Sequence, residues 1–281
     1  MCIRDRNNLD TIIENGLVVT ENEIGHLNIG IKDGKIAYLG DENLNAEFKI
    51  NASDLIVLPG GIDPHVHVDQ PSGDDVIMAD NFQSATKSAA AGGNTTILPF
   101  AMQIKGQSLR KCVEDYHKKA QGNMYIDTSF HLIISDPTPQ VLGQELPALS
   151  KDGYTSFKVF MTYDDLVLND KELIEVFDVA KQLKTLVMVH AEGYDSIKYL
   201  SDKFEKEGKT APYYHAPTRP QIVEREATHR AISHAQIVDI PLMIVHVSGE
   251  EALNQIRWAK DKGIKIFSEK ISIKLKRLFL S

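Results

Sequence analysis

TSFKVFMTYDDLVLNDKELIEVFDVAKQLKTLVMVHA, residues 155–191, decides how this chain folds. It holds a short apolar run (155–161), a segment of helical length (170–183) and a second short apolar run (186–191). The middle segment opens on Asn169 or Asp170, either of which suits a helix N-cap, and then spaces its apolar residues for a helix. Strand, helix and strand in that order make one βα unit of a parallel sheet.

The same rhythm runs outward in both directions. Candidate strands lie at 62–68, 95–100, 127–134, 155–161, 186–191, 241–248 and 265–269. Helical patterns fall between them at 80–91, 108–120, 170–183, 220–238 and 249–262, with Pro220 in a first turn and Ser248 as an N-cap. Seven strands in this alternation predict an α/β protein, a (β/α)8 TIM-type barrel that is incomplete by about one unit. Residues 9–58 read differently. Their short alternating runs are punctuated by Asn15-Gly16 and Asp33-Gly34, which predicts hairpins in a small β-domain. The expected organisation is a leader at 1–8, the β-domain at 9–58, the barrel at 59–269 and an off-pattern basic tail at 270–281. The native sequence is expected to stop near Glu269.

Composition narrows the function. The chain has 281 residues, 42% hydrophobic and 25% charged, which excludes a disordered or collagenous chain. Its 31 basic and 39 acidic residues give a net charge of −8, which speaks against a nucleic-acid or anionic-membrane partner. No apolar run reaches the length of a membrane span. Two cysteines without a CxxC favour a reducing, cytoplasmic setting. There is no phosphate loop, no GxSxG elbow and no dinucleotide fingerprint.

Chemistry concentrates in the histidines. His65 and His67 are two apart in a strand, so both imidazoles share one face. His190 and His246 end or nearly end their apolar strands, at the rim where barrel enzymes hold their active sites. Each alone also suits a core histidine satisfied by a carbonyl; four at one rim point to a transition-metal centre. Lys158 shares a strand face with Ser156 and Phe160. An ammonium there beside metal ions would be repelled, whereas carboxylation by CO2 would make it an anionic ligand; snorkelling to solvent or pairing with an acid is the plainer reading. His131 reads as a core histidine, and His26, His117, His215, His229 and His234 as mostly solvent-facing.

The segments PGGIDPHVHVDQPSG, ADNFQSATKSAAAGGNTTILPFA, DGYTSFKVFMTY, LVMVHAE, YHAPTRP and PLMIVHVS, in this order, resemble the dihydropyrimidinase/D-hydantoinase branch of the amidohydrolase superfamily, from about Leu9 to Glu269. The resemblance implies a metal-dependent barrel with part of a β-sandwich at the N-terminus. It implies that His65 and His67 bind the more buried of two divalent ions, that carboxylated Lys158 bridges both, and that His190 and His246 bind the second. Zinc is the default ion. Tyr163 matches the tyrosine that hydrogen-bonds the substrate carbonyl. The implied reaction opens the cyclic amide bond of dihydropyrimidines or hydantoins to N-carbamoyl amino acids, with metal-activated water as nucleophile. Small cyclic ureides are the implied ligands, and full-length relatives are homo-oligomers, often tetramers. Two departures stand out. After Glu269 the chain leaves the family pattern, so the family's eighth-strand aspartate is missing and this polypeptide is expected to be poorly active. Gly193 replaces a common asparagine. Competing readings are a non-catalytic scaffold relative, which would have lost metal ligands, and an allantoinase or dihydroorotase, the latter needing a dedicated arginine where Arg219 looks structural.

Overall fold

The computed structural model describes residues 9–72 and 76–270 and divides the chain into two compact units that meet at Gly61. The expected leader, and the expected tail beyond Lys270, lie outside the described residues.

The first unit is all β. Strands β1 (Leu9–Glu14), β4 (Asn28–Lys32), β5 (Lys35–Gly40) and β6 (Ala46–Asn51) form one sheet in the order β5-β4-β1-β6. Strands β2 (Leu17–Val19), β3 (Ile24–His26) and β7 (Ile56–Val57) form a second, in the order β3-β2-β7. Asp33 and Gly34 both adopt positive φ (50° and 71°) between the paired Lys32 and Lys35, as a two-residue hairpin turn requires. Asn15-Gly16 does something else. It joins β1 to β2, which belong to different sheets, so it is a corner and not a hairpin. Only glycine fits at 16, because a Cβ there would stand 2.7 Å from Val57 Cγ2.

The second unit is a sheet of eight strands with helices between them. β8 (Gly61–Val66) pairs with β9 (Asn94–Met102). From β9 the sheet continues through parallel neighbours β11 (His131–Ile133), β12 (Ser156–Phe160), β13 (Leu186–His190), β14 (Leu242–Val247) and β15 (Ile266–Lys270), with the short β10 (Asp127–Thr128) also on β9. The expected strand at 127–134 is therefore two, broken around Ser129 and Phe130. Helices α1 (Phe82–Ala91), α2 (Leu109–Ala120), α4 (Asp170–Leu183), α6 (Gln221–Val238) and α7 (Glu250–Asp261) fall on the expected patterns. Two further helices were not expected: α3 (Leu146–Lys151), continuing a π-turn at Val141–Glu145, and α5 (Tyr194–Lys206). Two caps differ by one position. Gly249, not Ser248, caps α7, since the Ser248 hydroxyl donates to the His246 carbonyl instead; Pro220 sits at the cap of α6.

Strand alternation sorts the core into two faces. Phe157, Val159, Val187, Val189, Leu242 and Ile244 join the large cluster under the helices. Phe100, Ile133, Phe160, Met188 and Val245 form a smaller cluster on the opposite, inner face. Helix α4 shows how the outer layer closes: Leu173, Val176, Phe177 and Ala180, spaced to form one stripe, are all fully buried. On β12 the same alternation turns Lys158 and Phe160 inward.

Candidate metal centre

Strand chemistry delivers the histidines to the inner face. His65 lies near the end of β8 and His67 just beyond it, His190 ends β13, and His246 lies near the end of β14. Strict alternation would turn His246 outward with Leu242 and Ile244. It does not, because the β14–β15 register slips between Ile244 and Val247 and His246 takes φ +41°. This bulge puts Val245 and His246 consecutively on the inner side and returns Val247 to the outer cluster.

The imidazoles stand in a row. Ring centroids are 5.5 Å apart for His67 and His65, 5.6 Å for His65 and His246, and 4.5 Å for His246 and His190. Phe100 packs on His65 and His67 at 4.8 and 4.9 Å, and Phe160 stacks on His190 at 5.5 Å. Lys158 Nζ lies between these aromatic rings, 5.2 Å from the centroid of Phe100 and 5.0 Å from that of Phe160. Lys158 is 1% exposed and its Nζ has no hydrogen-bond partner among the described residues. Burial lowers its pKa to about 7. Burial likewise pushes the imidazolium of His246 down to about 2 and lowers those of His67 and His190.

Three side chains that sequence reasoning did not single out for a role hold this row. Glu269 Oε2 meets His65 Nδ1 at 2.5 Å, Gln70 Oε1 meets His67 Nδ1 at 2.6 Å, and Glu192 Oε2 meets His190 Nε2 at 2.6 Å. Gln70 and Glu192 lie three and two residues beyond their rings, outside any strand alternation, and Glu269 is 204 positions from its own, so periodicity carries little signal for them. His131 is occupied on both sides, by Ser156 Oγ at 2.5 Å and the Pro64 carbonyl at 2.8 Å, which agrees with a core role. His26, His117, His215 and His229 are exposed, but His234 is buried in α6, its Nε2 3.2 Å from Asp170.

Tyr163 follows β12 and packs edge-on against His190 at 5.1 Å. It is 42% exposed and held at φ +73°, a conformation that costs a non-glycine residue about 1–3 kcal/mol. It lines a cleft of about 710 Å³ together with Gln103, Lys105, Tyr194 and Arg219. Arg219 Nε reaches Glu192 at 4.0 Å and its Nη1 reaches Thr218 Oγ1 at 3.1 Å. Among the described residues, no three His, Cys, Asp or Glu side chains stand ready as they are to hold a metal ion. The rings pack against one another and against phenylalanines, and the group at their centre is a lysine.

The arrangement has close relatives. Residues 56–267 match the model of the amidohydrolase family. A D-hydantoinase from Ralstonia pickettii is 46% identical over 262 residues, covering 93% of this chain and 57% of that protein. A solved structure of D-hydantoinase matches with a TM-score of 0.90 at 46% identity, over 93% of this chain and 57% of that one. The crystal structure of dihydropyrimidinase from Brevibacillus agri NCHU1002 matches with a TM-score of 0.89 at 40% identity, over 92% and 57%. The chain thus spans 57% of the length of these relatives, and its parallel strands are the corresponding part of a TIM-type barrel. Among the described residues no helix is long and apolar enough to cross a membrane. With three quarters of its length matched to one family model and its inner strand face bearing the histidines, the chain belongs to the amidohydrolase family.

Proposed function

We propose that this chain carries the metal site of a hydrolase that opens the cyclic amide bond of dihydropyrimidines and hydantoins, giving N-carbamoyl amino acids. The observation that carries the reading is Lys158: a fully buried amine with no hydrogen-bond partner among the described residues, packed between Phe100 and Phe160, which themselves pack on the histidine row. Leaving such a group unpaired costs about 1–3 kcal/mol, a cost that the fold has no structural reason to bear. Carboxylation removes the anomaly. The amine nitrogen bonds the carbon of CO2 and releases a proton, and the resulting carbamate offers anionic oxygens to cations. The donor set suits zinc or a related divalent ion, since neutral imidazoles and carboxylate-type oxygens are its usual ligands. His65 and His67 would hold the more buried ion, His190 and His246 the second, and carboxylated Lys158 both. Bound there, two such ions would acidify water and polarise the substrate carbonyl.

The chain's own residues supply orientation. Tyr163 packs its ring edge-on against His190 and lines the cleft, and its hydroxyl would donate to the oxygen on which charge develops. Its phenol stays protonated at neutral pH, because burial raises its pKa. Phe100 and Phe160 exclude water from the inner side of the row. The cleft of about 710 Å³ accommodates a small cyclic ureide. The free thiol of Cys112 supports a reducing, cytoplasmic setting, and a homo-oligomer is the expected assembly.

The test is metal analysis of the purified chain together with carbon-13 NMR after incubation with labelled bicarbonate. Two divalent ions per chain and a carbamate signal are expected, both lost in Lys158→Ala, with hydantoin or dihydrouracil hydrolysis assayed on the same preparation. A metal-free wild-type chain without a carbamate, after exposure to zinc and bicarbonate, sinks the reading.

A further inference from the structure

We infer that Glu269, Gln70 and Glu192 are positioning residues that choose which ring nitrogen His65, His67 and His190 present to the site. The inference rests on the metal-binding reading above only for what the presented nitrogen meets. The choice itself follows from hydrogen-bond chemistry. A carboxylate or an amide oxygen can only accept, so the imidazole nitrogen facing it must carry the proton. A neutral imidazole has one N–H, and its other nitrogen is then a bare lone pair, the form that ligates metals.

Applied ring by ring, the geometry gives a definite pattern. Glu269 holds the proton of His65 on Nδ1 at 2.5 Å, leaving Nε2 bare. Gln70 holds that of His67 on Nδ1 at 2.6 Å, again leaving Nε2 bare. Gln70 cannot turn its amide around without loss, because its Nε2 donates to the Phe100 carbonyl at 3.0 Å and so directs Oε1 at His67. On the other arm Glu192 holds the proton of His190 on Nε2 at 2.6 Å, leaving Nδ1 bare. His65 and His67 therefore present one kind of nitrogen and His190 the other. Each choice is made by a residue outside the row: Glu269 on β15, Gln70 in the loop after β8 and Glu192 in the loop after β13.

The experiment uses the full chain labelled with nitrogen-15 histidine. Long-range nitrogen–proton NMR of the metal-free protein reads each tautomer directly. Nδ1–H for His65 and His67 and Nε2–H for His190 are expected; the opposite tautomer at any of the three in the wild-type chain overturns its assignment. Leucine at each position (Gln70→Leu, Glu192→Leu, Glu269→Leu) should return its histidine to a mixture of tautomers and weaken zinc binding about 10–100-fold in a chelator competition. Glu192→Gln and Glu269→Gln keep an accepting oxygen and should hold both tautomer and affinity within a few-fold of wild type. Leucine variants that fold, keep their tautomers and bind zinc as wild type does overturn the inference. Wild-type tautomers as stated in a chain that binds no zinc leave the inference standing and overturn the metal reading instead.

Discussion

Lys158 sits where packing alone would place an aliphatic residue, between Phe100 and Phe160 on the inner face of β12. Methionine has nearly the same shape without the amine. Lys158→Met is therefore expected to raise the stability of the metal-free protein by about 1–3 kcal/mol, the cost of an unsatisfied buried polar group, while abolishing metal uptake. Denaturant titration and metal analysis of the two chains check both halves. A variant that loses stability would assign Lys158 a structural partner. Cys112 makes the opposite case of a residue built to be inert. Its thiol is buried, donates to the Met102 carbonyl at 2.9 Å, and burial pushes its pKa up to about 12. Alkylation needs the thiolate, so at pH 8 the Cys112 peptide should remain unmodified by iodoacetamide in the native protein and react once it is unfolded. Mass spectrometry of the digested protein reads it, and rapid native labelling would contradict the burial.

Helix α4 is the element whose sequence and structure agree at every level, and its energetics can be apportioned. Asn169 accepts from the Glu172 N–H at 3.0 Å while the Glu172 carboxylate accepts from the Asn169 N–H at 2.8 Å, a reciprocal cap. Asn169→Ala should cost about 0.5–2 kcal/mol, and Leu173→Ala, at a fully buried position, about 2–5 kcal/mol. Urea midpoints that reverse this order would show that α4 is held by its end and not by its stripe. Elements were legible in the sequence where they carry both a cap and a stripe, as α4 does. α5 carries neither in strength: Gly193 caps it without a side-chain bond, and Ile197 is its only fully buried residue. The segment 141–151 contains Gly143 and Pro147, both poor residues for a helix interior, yet it is helical throughout, the π-turn at Val141–Glu145 running directly into α3 with Pro147 in its first turn. For the site, alternation was enough for His65, His67, Lys158 and His190. It fails for His246, which reaches the row through a bulge, and it cannot find Glu269, whose partner His65 lies 204 positions away.

At the scale of the whole molecule, the candidate ligands are spread from His65 to His246 over four strands, so only the folded sheet gathers them. An unfolded chain scatters these residues and binds a divalent ion weakly. Metal binding then draws its free energy from the folded state alone, and stability becomes a function of metal concentration. Free metal at 100 to 1,000 times the dissociation constant adds about 2.7–4.1 kcal/mol. For a body of about 200 residues, each kcal/mol moves Tm by about 2–4 °C, so the metal-loaded protein should melt roughly 5–16 °C above the chelator-treated one. Trp258, the single tryptophan, lies on α7 in the same unit as the site, and its fluorescence reports the relevant transition without interference from the first unit. Lys158→Met separates specific binding from a general salt effect. Its metal-free form should melt higher than wild type, and its Tm should not respond to metal at all. If zinc shifts wild type and variant equally, the ion acts elsewhere on the molecule; if it shifts neither, the four histidines do not constitute a metal site.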